Sequence, residues 1–275
     1  MADTQYFCAP DGTALAWDAA GSGPLVLLLH GIGSSRRRWE PQMEALAVAG
    51  YRAVRLDLRG FGDSSGGEQK FGMTRFVADL ESFADSLGSE RFHLVGHSLG
   101  GMLAQRYAVE NEARILSLVL ASTTSHNGRR ASAFARVMTL FAEHGYEAVV
   151  NNPALRPEVD SAVKEAFPGI APPFEMLKIG VEKPNPARAN AWRACIEFSV
   201  KDRLSELACP VLVMHGTADP LIPFRAGQLV HDAIAGSEWI PEDGAGHSLP
   251  RERPEAFNQA LLDFLKRAEA PRAAR

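Results

Sequence analysis

A serine stands between glycines in the run Gly96-His97-Ser98-Leu99-Gly100, with Gly101 behind it. An apolar run at 92–95 leads in and a helical pattern at 102–109 leads out. Strand, sharp turn and helix together hold a serine out in a strained conformation, and glycines two positions to either side remove collisions with neighbouring chain. A serine hydroxyl is a weak nucleophile at neutral pH, so Ser98 requires a general base within hydrogen-bond reach and an acid to orient that base. Two loops qualify, each after a predicted strand. The first, Gly216-Thr217-Ala218-Asp219-Pro220, has Asp219 as its only carboxylate; the second, Glu242-Asp243-Gly244-Ala245-Gly246-His247-Ser248, holds His247 among small residues. The order serine, acid, histidine is the one expected when a single sheet carries all three.

Other polar residues fit less well. An acid just after the strand that follows Ser98 would fall at 122–124, where there is no carboxylate, and Asp243 shares a loop with His247 rather than facing it. His30 and His97 are expected to pack, and His126, His144, His215 and His231 have no partner visible in the sequence. Attack on a carbonyl also needs donors aimed at the developing oxyanion, each worth about 3 kcal/mol. His30-Gly31-Ile32-Gly33 follows an apolar strand, and Leu99 opens a helix with an unpaired N–H. The backbone amides of Ile32 and Leu99 are the expected pair. Arg36, Arg37 and Arg38 follow this loop and are expected to form a solvated helix start, with contact to a substrate carboxylate as the alternative.

The elements that must position these groups follow from hydrophobic periodicity. A hairpin is predicted from strands at 5–9 and 13–18 around Asp11-Gly12. Residues 25–29 form a continuous apolar run, as in a parallel strand buried on both faces. Helices at 39–48 and 73–87 then alternate with strands at 51–56 and 92–95, and the helix after Ser98 precedes a strand at 115–121. Repeated βα units imply a mostly parallel sheet with helices on both faces. The alternation stops at 122–207, where an amphipathic pattern at 130–149 and the punctuating prolines 153, 157, 168, 172, 173, 184 and 186 predict an inserted helical cap. It resumes with strands at 211–215 and 237–240 and helices at 224–235 and 254–266. The expected organisation is a core of 1–121 and 208–275 with a cap of 122–207, and a frayed end at 271–275.

Composition narrows the function. Hydrophobic residues make up 46% and charged residues 23%, which is ordinary for a globular chain. The formal charge of −4 supplies no basic stripe, so nucleic acid is not an expected partner. No run approaches the roughly 18 apolar residues of a membrane span. Residues 1–6 include Asp3 and no apolar stretch, so no secretory signal is expected and the cytoplasm is the expected location. Cys8, Cys195 and Cys209 lie outside metal-ligand spacing and are expected to be reduced, buried small hydrophobes.

His30-Gly31-Ile32-Gly33, the segment from Asp57 to Ser64, Gly96-His97-Ser98-Leu99-Gly100-Gly101, Gly216-Thr217-Ala218-Asp219 and Gly246-His247 together resemble the α/β-hydrolase superfamily, over nearly the whole chain outside the cap. The resemblance implies an α/β-hydrolase fold and a Ser98, Asp219, His247 triad, with the segment from Asp57 to Ser64 as a structural signature. It implies neither metal nor organic cofactor, and a small-molecule substrate handled by a monomer or homodimer. Similar enzymes that open epoxides or remove halides carry aspartate at the elbow, whereas this chain has Ser98. Cleavage of a carboxylic ester or lactone is the expected chemistry. Carbon-carbon hydrolysis of ring-fission products, cofactor-free haloperoxidase or perhydrolase activity, and noncatalytic ligand binding are the alternatives. Against the first, Arg38 and Ser248 replace the asparagine and tryptophan usual in those enzymes. The substrate pocket is expected between sheet and cap, with Met102 from the core and Phe134, Met138, Phe141, Trp192 and Phe198 from the cap.

Overall fold

The computed structural model describes residues 3–66, 69–169, 183–196 and 198–270. Eight strands form one sheet in the order β1-β2-β4-β3-β5-β6-β7-β8. They are β1 Gln5–Cys8, β2 Ala14–Ala20, β3 Leu25–Leu29, β4 Arg52–Leu56, β5 Phe92–His97, β6 Ile115–Ala121, β7 Val211–Gly216 and β8 Glu238–Glu242. The β1–β2 hairpin and the β2–β4 pair are antiparallel, and every pairing from β4 to β8 is parallel. All five residues of β3 are buried because its two faces serve two cores. Leu25, Leu27 and Leu29 join Phe76, Leu80 and Phe83 of α2 (Met73–Ser86) and Leu103 and Tyr107 of α3 (Leu99–Glu110). Val26 and Leu28 face the other way, to Met43 and Leu46 of α1 (Glu40–Val48) and Phe257, Leu261 and Phe264 of α10 (Pro254–Glu269). Burying each such side chain stabilises the fold by roughly 1.5–3 kcal/mol, and together they fix the strand ends from which the loops project. Two further helices, α8 (Phe224–Ala233) and the short α9 (Leu249–Glu252), flank β8 in the chain.

Between β6 and β7 the chain forms α4 (Arg129–His144), α5 (Tyr146–Val150), α6 (Arg156–Ala166) and α7 (Pro186–Ile196). These have their own apolar cluster around Val137, Phe141, Val149, Val159 and Ala189. Their entry and exit are zipped together: His126 bridges Ser199, the Asn127 N–H donates to Phe198 O and the Val200 N–H donates to Ser125 O at 2.9 Å. The amphipathic pattern at 130–149 is two helices rather than one, because Gly145 turns the chain at φ 83°, a conformation that suits glycine. Pro172, Pro173 and the predicted frayed end at 271–275 lie outside the described residues. Cys8 is exposed, contrary to expectation, whereas Cys195 is buried, which pushes its thiol up to about 12. Among the described residues no helix is long and apolar enough to cross a membrane.

Candidate active site

Ser98 is the single residue between β5 and α3. Its backbone takes φ 55° and ψ −120°, and its N–H donates to Ala121 O at 3.0 Å. Such a left-handed conformation costs a non-glycine residue on the order of 1–2 kcal/mol, so close packing must enforce it. A side chain at Gly96 would lie 2.3 Å from Gly100 O, and one at Gly100 would lie 2.3 Å from Leu29 O. Only hydrogen fits at either position. The packing of α3 against β3 and β5 therefore leaves Ser98 half-buried at the C-terminal end of β5, in the middle of the sheet.

The loops after β7 and β8 meet it there. His247 Nε2 is 3.0 Å from Ser98 Oγ, and His247 Nδ1 is 2.8 Å from Asp219 Oδ2. With the proton on Nδ1, His247 donates to the carboxylate and accepts from the serine hydroxyl. The other Asp219 oxygen accepts the N–H groups of Leu221 at 2.8 Å and Ile222 at 3.0 Å. Burial works to raise the Asp219 carboxyl, but hydrogen bonds from His215, His247 and the Ile222 amide outweigh it and hold the group well below the ordinary carboxylate range. Asp219 is thus a fixed anion beside the imidazole.

Several residues that steady this chain had no signal in the sequence. His215, expected to lack a partner, lies with Nε2 3.0 Å from Ile222 O and 3.4 Å from Asp219 Oδ2. His126 and His231 also have partners, Ser125 Oγ at 3.2 Å and Ser237 Oγ at 2.7 Å, and His144 lies 4.0 Å from Glu143. His97 does more than pack: its Nε2–H donates to His247 O at 2.7 Å. Burial, then the nearby Arg38 and His247, depress its basicity well below the ordinary histidine value, so it is a neutral donor. Glu252 accepts the N–H groups of Gly246 at 2.6 Å and Ser248 at 2.9 Å, clamping His247 from both sides. Thr123 Oγ1 donates to Ser98 O at 2.9 Å. The common signal, a polar side chain beside a strand end, is too general to pick these out before the strands are assembled.

The loop after β3 lies against the serine. A side chain on Gly31 would meet Ser98 Cβ at 2.9 Å and Oγ at 3.3 Å. Neither the Ile32 N–H nor the Leu99 N–H has an acceptor among the described residues, so both donors are free for a ligand oxygen. Buried His30 holds the loop's start, accepting the Leu58 N–H at 3.0 Å on Nε2 and donating from Nδ1 to Gly31 O at 2.8 Å; burial lowers its pKa to about 4. Of Arg36 to Arg38 only Arg37 is exposed, so the run is not a solvated helix start as a whole. Arg36 is buried among Asp18, Asp57 and Asp63, Arg37 reaches Asp63, and Arg38 is buried with one bond to Ser34 Oγ at 3.2 Å. The Asp57 carboxylate also accepts the Arg36 and Asp63 N–H groups, a structural knot rather than a second site.

The expected pocket residues divide. Met102 touches Cys195 Sγ at 3.9 Å where α3 meets α7. Phe134 and Trp192 are half-buried and meet edge to face at 5.5 Å. Met138 and Phe141 belong to the apolar cluster of the α4–α7 layer, Phe141 with no exposed surface and its ring on Tyr146, while Phe198 is buried with the sheet-side core. Two open grooves of about 480 and 500 Å³, one on this layer and one between it and residues 70–72, include neither Ser98 nor His247 in their walls. Among the described residues no three His, Cys, Asp or Glu side chains gather as metal ligands.

Comparison with known proteins bears on the family and the fold. A family model described as the α/β hydrolase fold matches residues 24–254. The chain is 32% identical over 268 residues to a protein of Variovorax paradoxus (strain S110) provisionally named carbamate hydrolase RutD, covering 90% of this chain and 94% of that one. A hydrolase from Pseudomonas aeruginosa PA01 superposes with a TM-score of 0.77 at 28% identity, over 96% of this chain and 98% of its own. A thermophilic esterase from Thermogutta terrifontis gives 0.77 at 26% identity, over 98% of this chain and all of its own.

Proposed function

Because the chain belongs to the α/β-hydrolase fold family, we propose that it is a serine hydrolase that cleaves a carboxylic ester or lactone through an acyl-enzyme on Ser98, with the α4–α7 layer as its cap. The observation that carries this reading is the hydrogen-bonded chain from Ser98 Oγ through His247 to Asp219, at 3.0 and 2.8 Å. His247 Nε2 takes the serine proton as Oγ attacks the carbonyl carbon, and Asp219 stabilises the imidazolium that forms. The carbonyl electrons move onto oxygen, where the Ile32 and Leu99 amides receive the charge. Collapse expels the alcohol, which takes the proton from His247. A water then repeats the sequence against the acyl-enzyme and restores Ser98. The proton transfers use groups already within hydrogen-bond reach of one another, and no step requires a cofactor.

The test is covalent labelling by a fluorophosphonate. One adduct on Ser98 of the folded protein, absent after Ser98→Ala, is the expected result; a folded protein that takes no label overturns the reading. A second reading, hydrolysis of a carbamate, rests on the identity to the Variovorax protein. It would use the same nucleophile, so turnover of matched esters and carbamates separates the two.

A further inference from the structure

The loop after β3 carries a second feature, two residues beyond Gly31. A side chain on Gly33 would lie 2.8 Å from Arg188 Nη2, so the Arg188 guanidinium lies directly over this backbone. Arg188 belongs to α7, whose start presses on the strand ends: a side chain on Gly60 would meet Ala187 Cβ at 2.3 Å. The mounting is firm. Asn185 Oδ1 accepts the Arg188 N–H at 3.0 Å, and the Asn185 N–H donates to Ala142 O of α4 at 2.7 Å.

Among the described residues Arg188 makes no ion pair, and its buried Nε has no hydrogen-bond partner. Four other arginines of the layer are paired, Arg129 and Arg136 with Glu165, Arg156 with Asp160 and Arg193 with Glu143. Arg36, on the same β3 loop, has three aspartates. A half-buried guanidinium without a counterion is an expensive arrangement unless something anionic completes it. The fork of a guanidinium matches a carboxylate in two parallel hydrogen bonds.

We propose that Arg188 binds a carboxylate of the substrate, so that the preferred substrates are esters bearing a free carboxylate a short chain away from the scissile carbonyl. The proposal deepens the serine-hydrolase reading and rests on it for the reaction, though not for the binding site. Gly31 to Gly33 spans at most about 7 Å of backbone, so a ligand reaching from Ser98 to Arg188 is small.

The test compares the wild type with Arg188→Gln and Arg188→Lys on two matched pairs: para-nitrophenyl hemiglutarate against the valerate, and meta-acetoxybenzoate against phenyl acetate. In at least one pair, Arg188→Gln is expected to lower kcat/KM for the anionic member about ten- to a hundredfold, mainly through KM, with the neutral member within about threefold. Arg188→Lys should recover part of the loss. Calorimetry with glutarate reads the same site without turnover: binding that Arg188→Gln abolishes supports the proposal. Glutarate binding that is absent, or equal in wild type and variant, overturns it, as do unmoved ratios in both pairs. Failure of the hydrolase reading is distinct, since Ser98 would then take no fluorophosphonate whatever glutarate does.

Discussion

Adjacent strands β5 and β6 end side by side, His97 paired with Ala121, and each is followed by a serine with positive φ, 55° at Ser98 and 45° at Ser122. Each serine donates its N–H to the next strand, Ser98 to Ala121 O and Ser122 to Met214 O, both at 3.0 Å. There the likeness ends. Ser98 Oγ meets His247 Nε2, while Ser122 Oγ is buried without a partner. The residues that follow make the difference. Leu99, Gly100 and Gly101 enter α3 at once and hold Ser98 at the C-terminal end of the strand, whereas Thr123, Thr124 and Ser125 carry the chain toward the α4–α7 layer. Strain at a strand end therefore does not by itself bring a hydroxyl to a base. A helix that begins on the next residue, and a loop that brings a base across, are what separate the two serines.

The comparison breaks if the two hydroxyls prove interchangeable. Ser98→Ala should reduce ester turnover at least about a thousandfold, while Ser122→Ala, which removes an unsatisfied buried hydroxyl, should keep kcat within about twofold and the urea midpoint unchanged or slightly raised. Gly100→Ala sharpens the role of the helix start. Its methyl would meet backbone rather than a movable side chain, so a loss of about 3 kcal/mol or more in urea unfolding is expected. Thr123→Val removes a side-chain hydrogen bond that ties the second turn to the first; about 1 kcal/mol of stability and a few-fold fall in kcat should follow.

The smallest effect concerns pH, since β5 ends in His97 where β6 ends in Ala121. His97 is depressed in the fold, so below its ordinary value of 6.5 the unfolded chain binds the extra proton first. Its contribution is complete above about pH 6.5 and is lost as pH falls. His97→Gln, which keeps an N–H donor toward His247 O, should flatten that part of a stability–pH profile. Asp219, depressed in the fold, acts in the same direction at lower pH, below its ordinary value of 3.8. An unchanged slope in His97→Gln would place the acid sensitivity elsewhere.

What the sequence made legible was local or strongly periodic. Leu25–Leu29 reads as a strand because all five residues are apolar, and Ser98 stands out because two glycines flank it at a strand–helix junction. Asp219 and His247 were legible because each is the plausible group on a loop that follows a strand. The arginines show what is not legible. Three in a row look like a solvated face, yet Asp18, Asp57 and Asp63 converge on Arg36 from three separate segments. His215 and His97 failed in the same way, their partners being set by the folding of loops rather than by spacing. The break at Gly145 was hidden because the apolar stripe runs on through Tyr146 and Val149.

The zipper at 125–127 and 198–200 joins two neighbouring strands of the sheet, β6 and β7. Below it β6 and β7 pair in parallel, Leu118 with Val211 through Ala121 with Met214. Doubling the length of a closed loop adds only about 0.6 kcal/mol of closure entropy, so a lineage could exchange the whole hanging segment for a longer or shorter one at little thermodynamic penalty. The hydrogen-bonded chain of Ser98, His247 and Asp219 comes entirely from outside it. Recombination at this zipper is accordingly a practical route to chimaeras that retain one chemistry and trade one set of ligands for another.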